Sequence, residues 1–287
     1  MSSNPQLVPL HYRSIWISDV HLGLRGCQAD YLLDFLESTQ CKRLYLVGDI
    51  LDLWAMRSKV FWPQAHNNVV RAILGKARNG TEVIFLPGNH DETFRAHLGT
   101  DFGKIAVRDQ VIHETADKRR FLVLHGDQFD GALHKAPLAA KLGGWLYDLL
   151  LIISHRHNQL RRRLGLNYWS LAAFLKQRVG RAMRYIDKFE RMAAGEGRRQ
   201  GVDGVICGHI HKAASKDIDG IAYRNCGDWV ESCTALVEQP DGKIELLHWV
   251  EARQSLLPAT WQPRRAPALK TPAFDAQSCE VQSFDAK

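Results

Sequence analysis

Five short apolar runs in this chain each end in a polar motif, and that repeated junction constrains the fold more than any other feature. Ser14-Ile15-Trp16-Ile17 leads to Asp19-Val20-His21, and Leu44-Tyr45-Leu46-Val47 to Gly48-Asp49. Val83-Ile84-Phe85-Leu86 leads to Gly88-Asn89-His90, and Phe121-Leu122-Val123-Leu124 to His125-Gly126-Asp127. Val205-Ile206-Cys207 leads to Gly208-His209-Ile210-His211. Runs rich in β-branched and aromatic residues, closed by Gly or Asp, read as buried strands. Each strand then delivers Asp, Asn or His at its C-terminal tip, the edge where open α/β sheets bind ligands. Oxygen and imidazole donors arriving together from five strands suit a hard or borderline metal ion. The set lacks thiolate, which argues against a closed structural zinc site.

The length of 287 residues suits one large α/β domain or two modest ones, and 45% hydrophobic residues support a sizeable core. No apolar stretch follows a basic start, so no signal peptide is read. The longest aliphatic run, Leu149 to Ile153, is far short of the roughly 20 residues of a membrane span. Cys27, Cys41, Cys207, Cys226, Cys233 and Cys279 show no C-x-x-C pairing, so reduced, packed thiols in a cytoplasmic protein are expected.

Charge is unevenly placed. Between Leu133 and Gly201 fourteen basic residues face four acidic ones, a net +10 in a chain whose total is +7, so the remainder is net −3. Trp145, Leu146, Leu149, Leu150, Ile152 and Ile153 predict one apolar helix in this segment. Leu171, Leu175, Val179, Met183 and Ile186 recur at three- and four-residue spacing and predict a second, amphipathic one. Gly165 and Asn167 mark the turn of a helical hairpin. Three readings apply to it: a helix pair packed on the core with a solvated basic face, a lid over an acidic acylated substrate or an anionic membrane surface, and a nucleic-acid surface. Arg161-Arg162-Arg163 would attract phosphates, but no base-reading motif accompanies it, so nucleic acid is not the expected partner.

After His211 the chain reads as four strands, Ala213–Ile218, Ile221–Cys226, Cys233–Glu238 and Ile244–Trp249, with hairpin turns at Asp219-Gly220 and Asp241-Gly242. They are expected to complete a second sheet. Pro258, Pro263, Pro267 and Pro272 predict a disordered tail. The expected organisation is a core over 1–132 and 201–255, a basic helical cap over 133–200 and a tail over 256–287.

In order and wording the motifs resemble the calcineurin-like metallophosphoesterase superfamily, whose pattern is D-x-H, G-D-x-x-D, G-N-H-[D/E], H and G-H-x-H. The resemblance covers about residues 14 to 250. Within the superfamily the chain looks most like the branch containing bacterial UDP-2,3-diacylglucosamine diphosphatase, on Asp49-Ile50-Leu51-Asp52-Leu53-Trp54, the His125-Gly126-Asp127 block and the helical insertion. It departs from that branch at His90, where the branch carries Arg. The resemblance implies a four-layer α/β/β/α sandwich with the hairpin as a cap. It implies two divalent metal ions, Mn²⁺ first, with Fe²⁺ or Zn²⁺ also suited to these ligands. One would be held by Asp19, His21, Asp49 and His211, the other by Asp49, Asn89, His125 and His209, with Asp49 bridging. A bridging carboxylate holds cations about 3.5–4 Å apart, the spacing that clamps attacking and leaving oxygens at phosphorus.

By the same resemblance His90 is the catalytic histidine that assists the leaving group. Asp52 would accept its other ring N–H and fix its orientation. Asp127 and Asp130 are either outer partners of the ligands or turn caps. Asp91 and Glu92 read as helix N-terminal residues, and Asn225-Cys226-Gly227-Asp228 as a loop turn. Arg161, Arg162, Arg163, Lys176 and Arg181 are the substrate-binding candidates of the cap. The implied reaction is hydrolysis of a phosphoester or pyrophosphate bond in a phosphorylated, acylated nucleotide sugar, giving a nucleoside monophosphate and a lipid phosphate. The cap could meet the inner face of an anionic membrane, and no stable protein partner is inferred. A phosphodiesterase or phosphatase acting on nucleotides or nucleic acid, and a non-catalytic metal-bound scaffold, are the alternatives.

Overall fold

The computed structural model describes residues 9–130 and 180–256. The first sheet contains β1 (Leu10–Ile17), β2 (Thr39–Val47), β3 (Glu82–Leu86), β4 (Asp101–Phe102), β5 (Ile105–Val107), β11 (Thr234–Glu238) and β12 (Ile244–His248), in the order β12-β11-β1-β2-β3-β5-β4. The second contains β6 (Gln110–Glu114), β7 (Arg120–Leu124), β8 (Gly204–Cys207), β9 (Ala214–Ile218) and β10 (Ile221–Asn225), in the order β6-β7-β8-β10-β9. β1, β2, β3 and β5 run parallel, and so do β7, β8 and β10. The strands that end in the five polar motifs therefore lie side by side, three in one sheet and two in the other.

Strand alternation sorts the apolar residues into three layers. Trp16, Tyr45, Val47, Ile84 and Leu86 of the first sheet meet Phe121, Val123 and Ile206 of the second between the sheets. Their neighbours Ile15, Ile17, Leu44, Leu46, Val83 and Phe85 point the other way, against helices. Those helices are α1 (Ala29–Ser38), which buries Leu32, Phe35 and Leu36, and α3 (Gln64–Arg78), which buries Val69, Ile73 and Ala77. A short α2 (Leu53–Ser58) precedes α3. On the far side Leu122, Leu124, Val205 and Cys207 pack on Ile186, Phe189, Ala193 and Ala194 of α4 (Gly180–Gln200). The result is an α/β/β/α sandwich with buried strands at its centre. Each fully buried large aliphatic or aromatic side chain contributes about 1.5–3 kcal/mol.

The amphipathic helix expected in the second half of the insertion is seen here only from Gly180. Its buried residues make it the outer layer of the second sheet. The apolar helix expected around Trp145–Ile153, the turn at Gly165 and Asn167, and the tail beyond Leu256 lie outside the described residues.

One expectation is corrected. β9 and β10 join the second sheet, with Asp219 and Gly220 both at positive φ in the two-residue turn between Ile218 and Ile221. β11 and β12, however, return to the first sheet, where β11 pairs antiparallel with β1. Periodicity identifies a buried strand, and every residue of β11 is buried, but it does not name the neighbour. The last residues of the core also differ from expectation. Trp249 opens α5 (Trp249–Leu256) instead of ending a strand, and its indole N–H donates to Asp34 of α1 at 2.9 Å. Among the described residues, no helix is long and apolar enough to cross a membrane.

Candidate metal centre

The strand tips leave the sheets through strained backbone. Asp19 (φ 52°), His21 (54°), Asp49 (54°), His209 (69°) and His211 (49°) are left-handed. They are five of the eight non-glycine residues with positive φ among the described residues. Such conformations cost about 1–3 kcal/mol each and cluster where a site over-determines the chain. Here the β1 and β2 tips are laced together. Asp19 N donates to Gly48 O at 3.0 Å, Val20 N and His21 N both to Asp49 O at 2.9 Å, and Leu22 N to Ile50 O at 2.9 Å. The motif glycines supply room. A Cβ on Gly48 would lie 2.1 Å from His125 Nδ1, and one on Gly88 would lie 2.3 Å from Asp49 Oδ1.

Through that space the donor groups converge. Asp49 Oδ2 is 3.3 Å from His125 Nε2 and 3.9 Å from His21 Nε2, and Asp19 Oδ1 is 3.2 Å from His211 Nε2. Three overlapping groups, Asp19/His21/His211, His21/Asp49/His90 and Asp49/His125/His209, each have their donor atoms within 4.8 Å of one another. Asp19, His21, Asp49 and His125 are all at most 3% exposed. Buried charges at this density need compensating charge.

Protons supply part of it. Burial alone would lower the His21 and His125 imidazoles. The hydrogen bond that His21 donates to Asp52 and the charges of Asp49, Asp52 and Asp19 overcome this and raise His21 to about 9. Asp49, Asp19 and Asp127 likewise raise His125 to about 10. Burial would raise Asp19, but the adjoining His211 and His125 hold it down to about 2. Asp49 is held well below the carboxylate range by His125, His21 and His90.

The fit to cations is seen in the outer hydrogen bonds. His125 Nδ1 donates to Val47 O at 2.9 Å, His21 Nδ1 lies 3.0 Å from Asp52 Oδ2, and His209 Nε2 lies 3.0 Å from Asp130 Oδ2. Each ring thus has one nitrogen fixed by an acceptor and the other left for the centre, the arrangement that supports imidazole ligands. The Nε2 atoms of His21 and His211 approach to 3.2 Å, a clash of lone pairs unless a proton or a cation lies between them. Asn89 Oδ1 is buried with no hydrogen-bond partner among the described residues, as expected of an oxygen reserved for a cation.

The sequence profile of the calcineurin-like phosphoesterases matches residues 12–213. The chain belongs to this family. It is a metallophosphoesterase, a hydrolase of phosphorus ester or anhydride bonds. Among curated relatives, the UDP-2,3-diacylglucosamine hydrolase of Haemophilus influenzae (strain PittGG) is 22% identical over 236 residues, covering 79% of this chain and 95% of that protein. The enzyme of the same name from Edwardsiella ictaluri is 26% identical over 211 residues, 70% and 76% of the two chains. That of Salmonella typhimurium is 24% identical over 246 residues, 82% and 98%.

In this metallophosphoesterase Asp52 does more than face His90. Its Oδ1 lies 3.0 Å from His90 Nδ1 and accepts Ala55 N at 2.8 Å, capping α2, while its Oδ2 holds His21. The His90 ring is tilted against Trp54, with centroids 4.3 Å apart, and its side chain is 25% exposed. Asp127 pairs with Arg95 through two 2.8 Å bonds, and Asp130 with His209.

Sequence reasoning missed Asp91. It makes no helix-capping bond with its side chain. Fully buried, its carboxylate accepts Gly88 N at 2.7 Å, Ile50 N at 2.8 Å, Leu51 N at 3.2 Å and Asp49 N at 3.3 Å. It clamps the β2 tip to the β3 tip, and burial with the charge of Asp49 raises its pKa. The loop after β10 is a back wall, not a simple turn. Asn225 Nδ2 donates to Gly208 O at 2.8 Å, Ser18 Oγ to Gly227 O at 3.1 Å, and Trp229 N to Asp19 O at 3.0 Å. Arg161, Arg162, Arg163 and Lys176 lie outside the described residues, and Arg181 falls in the first turn of α4.

Proposed function

We propose that this metallophosphoesterase binds two divalent cations, Mn²⁺ first among them, and hydrolyses the pyrophosphate bond of a UDP-2,3-diacylglucosamine-like substrate to UMP and a lipid phosphate. Asp19, His21, Asp49 and His211 would hold one cation, and Asp49, Asn89, His125 and His209 the other. The observation that supports the two-cation reading is that Asp49 belongs to the group with His125 and His209 and, through the group it shares with His21, adjoins Asp19 and His211. When bound, the cations offset the negative charge of the phosphoryl group and activate water near neutral pH.

The chain's own residues supply orientation and a proton. Asp52 would accept the Nδ1–H of His90 and so point Nε2 at the leaving oxygen, to which a proton carried on Nε2 would pass as the bond to phosphorus breaks. The backbone N–H of His90 donates to Asp49 Oδ1 at 2.8 Å, which ties the chain at the proton donor to the bridging carboxylate. Trp54, 42% exposed beside His90, keeps an apolar wall at the mouth. The names of the relatives support the nucleotide-sugar substrate. The basic insertion would receive the acyl chains and touch anionic lipid.

A second reading, a phosphodiesterase or phosphatase acting on nucleotides or nucleic acid, is favoured by His90, at which the chain departs from the pattern of the UDP-2,3-diacylglucosamine diphosphatase branch. ³¹P NMR separates the two. Chelator-stripped protein is given UDP-2,3-diacylglucosamine, then Mn²⁺. Metal-dependent UMP is the expected result. Turnover of bis-p-nitrophenyl phosphate alone would keep the two-cation chemistry and overturn the lipid substrate.

A further inference from the structure

Asp130, the last described residue before the gap, and α4, where the described chain resumes at Gly180, meet on one imidazole of the centre. Asp130 Oδ2 lies 3.0 Å from His209 Nε2. The Tyr185 hydroxyl donates to Asp130 Oδ1 at 2.7 Å. One turn further along α4, the Phe189 ring lies 5.9 Å from that of His209 and 5.6 Å from that of Phe129, which precedes Asp130. A Cβ on Gly126 would come within 2.7 Å of Phe189, so α4 is seated tightly on the loop that carries His125. Tyr185 and Phe189 stand four residues apart on one helix face, one holding the carboxylate and the other backing the ring.

We propose that Asp130 and Tyr185 are positioning residues for the cation on the His125/His209 side, and that they tie its occupancy to the seating of α4. A carboxylate on Nε2 keeps that nitrogen protonated and turns Nδ1 inward as the ligand atom. Tyr185 in turn holds the carboxylate in plane. The cation on the Asp19/His21/His211 side draws its orientation from Asp52 instead, so the two positions depend on different outer residues. Nothing in the five motifs encodes this, because Asp130 and Tyr185 are separated by 55 residues. The proposal rests on the two-cation reading above.

The test is equilibrium Mn²⁺ binding to the full chain, with circular-dichroism melts as a check on folding, for wild type, Asp130→Asn and Tyr185→Phe. In Asp130→Asn one of two sites should weaken about 10–100-fold, the range for lost outer partners, while the other keeps its wild-type affinity. Tyr185→Phe should weaken the same site by a smaller factor. Two wild-type sites in both folded variants, or equal weakening of both sites, would overturn the proposal. Wild-type protein that binds fewer than two Mn²⁺ would overturn the two-cation reading itself, and the proposal with it.

Discussion

Asp91→Asn is a test of how the centre is held together, because the substitution keeps shape and removes one acceptor oxygen. Asp91 Oδ1 takes Gly88 N and Asp49 N, and Oδ2 takes Ile50 N and Leu51 N. Asparagine can satisfy one of these pairs. Its NH₂ then faces the other pair, donor against donor, in a position with no solvent exposure. Two buried N–H groups left without an acceptor cost about 1–3 kcal/mol each, or about 2–6 kcal/mol together. Relief offsets part of this, since burial and the charge of Asp49 raise the Asp91 pKa and so penalise its ionised form. A net loss of about 2–4 kcal/mol is expected. For a chain of this size that corresponds to about 5–15 °C in Tm. Urea and thermal melts of chelator-treated protein at pH 7 measure it, and Mn²⁺ titration follows the Asp49 and Asn89 loops. A variant that melts within 1 °C of wild type (about 0.5 kcal/mol or less) and binds Mn²⁺ with unchanged affinity would refute the clamp.

Four further outcomes are expected. Asp49→Ala should lose both high-affinity metal positions and turnover together, measured by metal analysis and ³¹P NMR. A variant with two metals per chain and normal turnover would contradict the bridging role. His90→Ala should keep its metals yet lower kcat by about 10²–10⁴-fold for substrates with basic leaving groups, with a smaller loss for p-nitrophenyl esters, whose leaving group needs no proton. In metal-free protein the imidazoles of His21 and His125, ordinarily near 6.5, sit at about 9 and about 10 because neighbouring carboxylates outweigh burial. The fold binds those protons more tightly than the unfolded chain does, so their stabilisation is complete below about pH 6.5 and is lost as pH rises through 9 to 10. Urea midpoints of the metal-free protein should fall across that window, and Mn²⁺ binding at pH 7 should release protons, seen as a dependence of calorimetric heat on buffer.

The centre was legible in the sequence to the depth of the donors that face it. Asp19, His21, Asp49, His125, His209 and His211 converge because each follows a strand whose composition is unambiguous. The layered sandwich was implied by the family resemblance that the motifs carry; the runs alone gave only buried strands with polar tips. What was hidden lies in pairings that local pattern does not carry. β11 joins β1 across more than two hundred residues, and no periodicity distinguishes that partner from β10. Asp91 resembled a helix-start acid because it precedes a short 3₁₀ turn. Three of its four partners are backbone N–H groups about forty residues earlier. The left-handed backbone of Asp19, His21, Asp49, His209 and His211 was also hidden, since Asp and His enter that region more often than most residues but far less often than Gly.

Three carboxylates that do not face the middle of the centre explain how strained tips stay in place. Asp52 joins His21 of the β1 tip to His90 of the β3 tip. Asp91 joins the β3 tip to the β2 tip. Asp130 joins the β7 loop, and through Tyr185 the helix α4, to His209 of the β8 tip. Each stands within five residues of a motif, and each reaches across to a different motif's loop. A carboxylate is suited to this, because its two oxygens can accept from several donors at once. The five left-handed residues cost about 1–3 kcal/mol each, and charge-assisted bonds of about 1.5–3 kcal/mol across loops are of the size needed to offset them. The rigidity of the centre is therefore a property of cross-loop acids as much as of the sheets, and substitutions at Asp52, Asp91 and Asp130 should loosen different pairs of tips while leaving the β-sandwich intact.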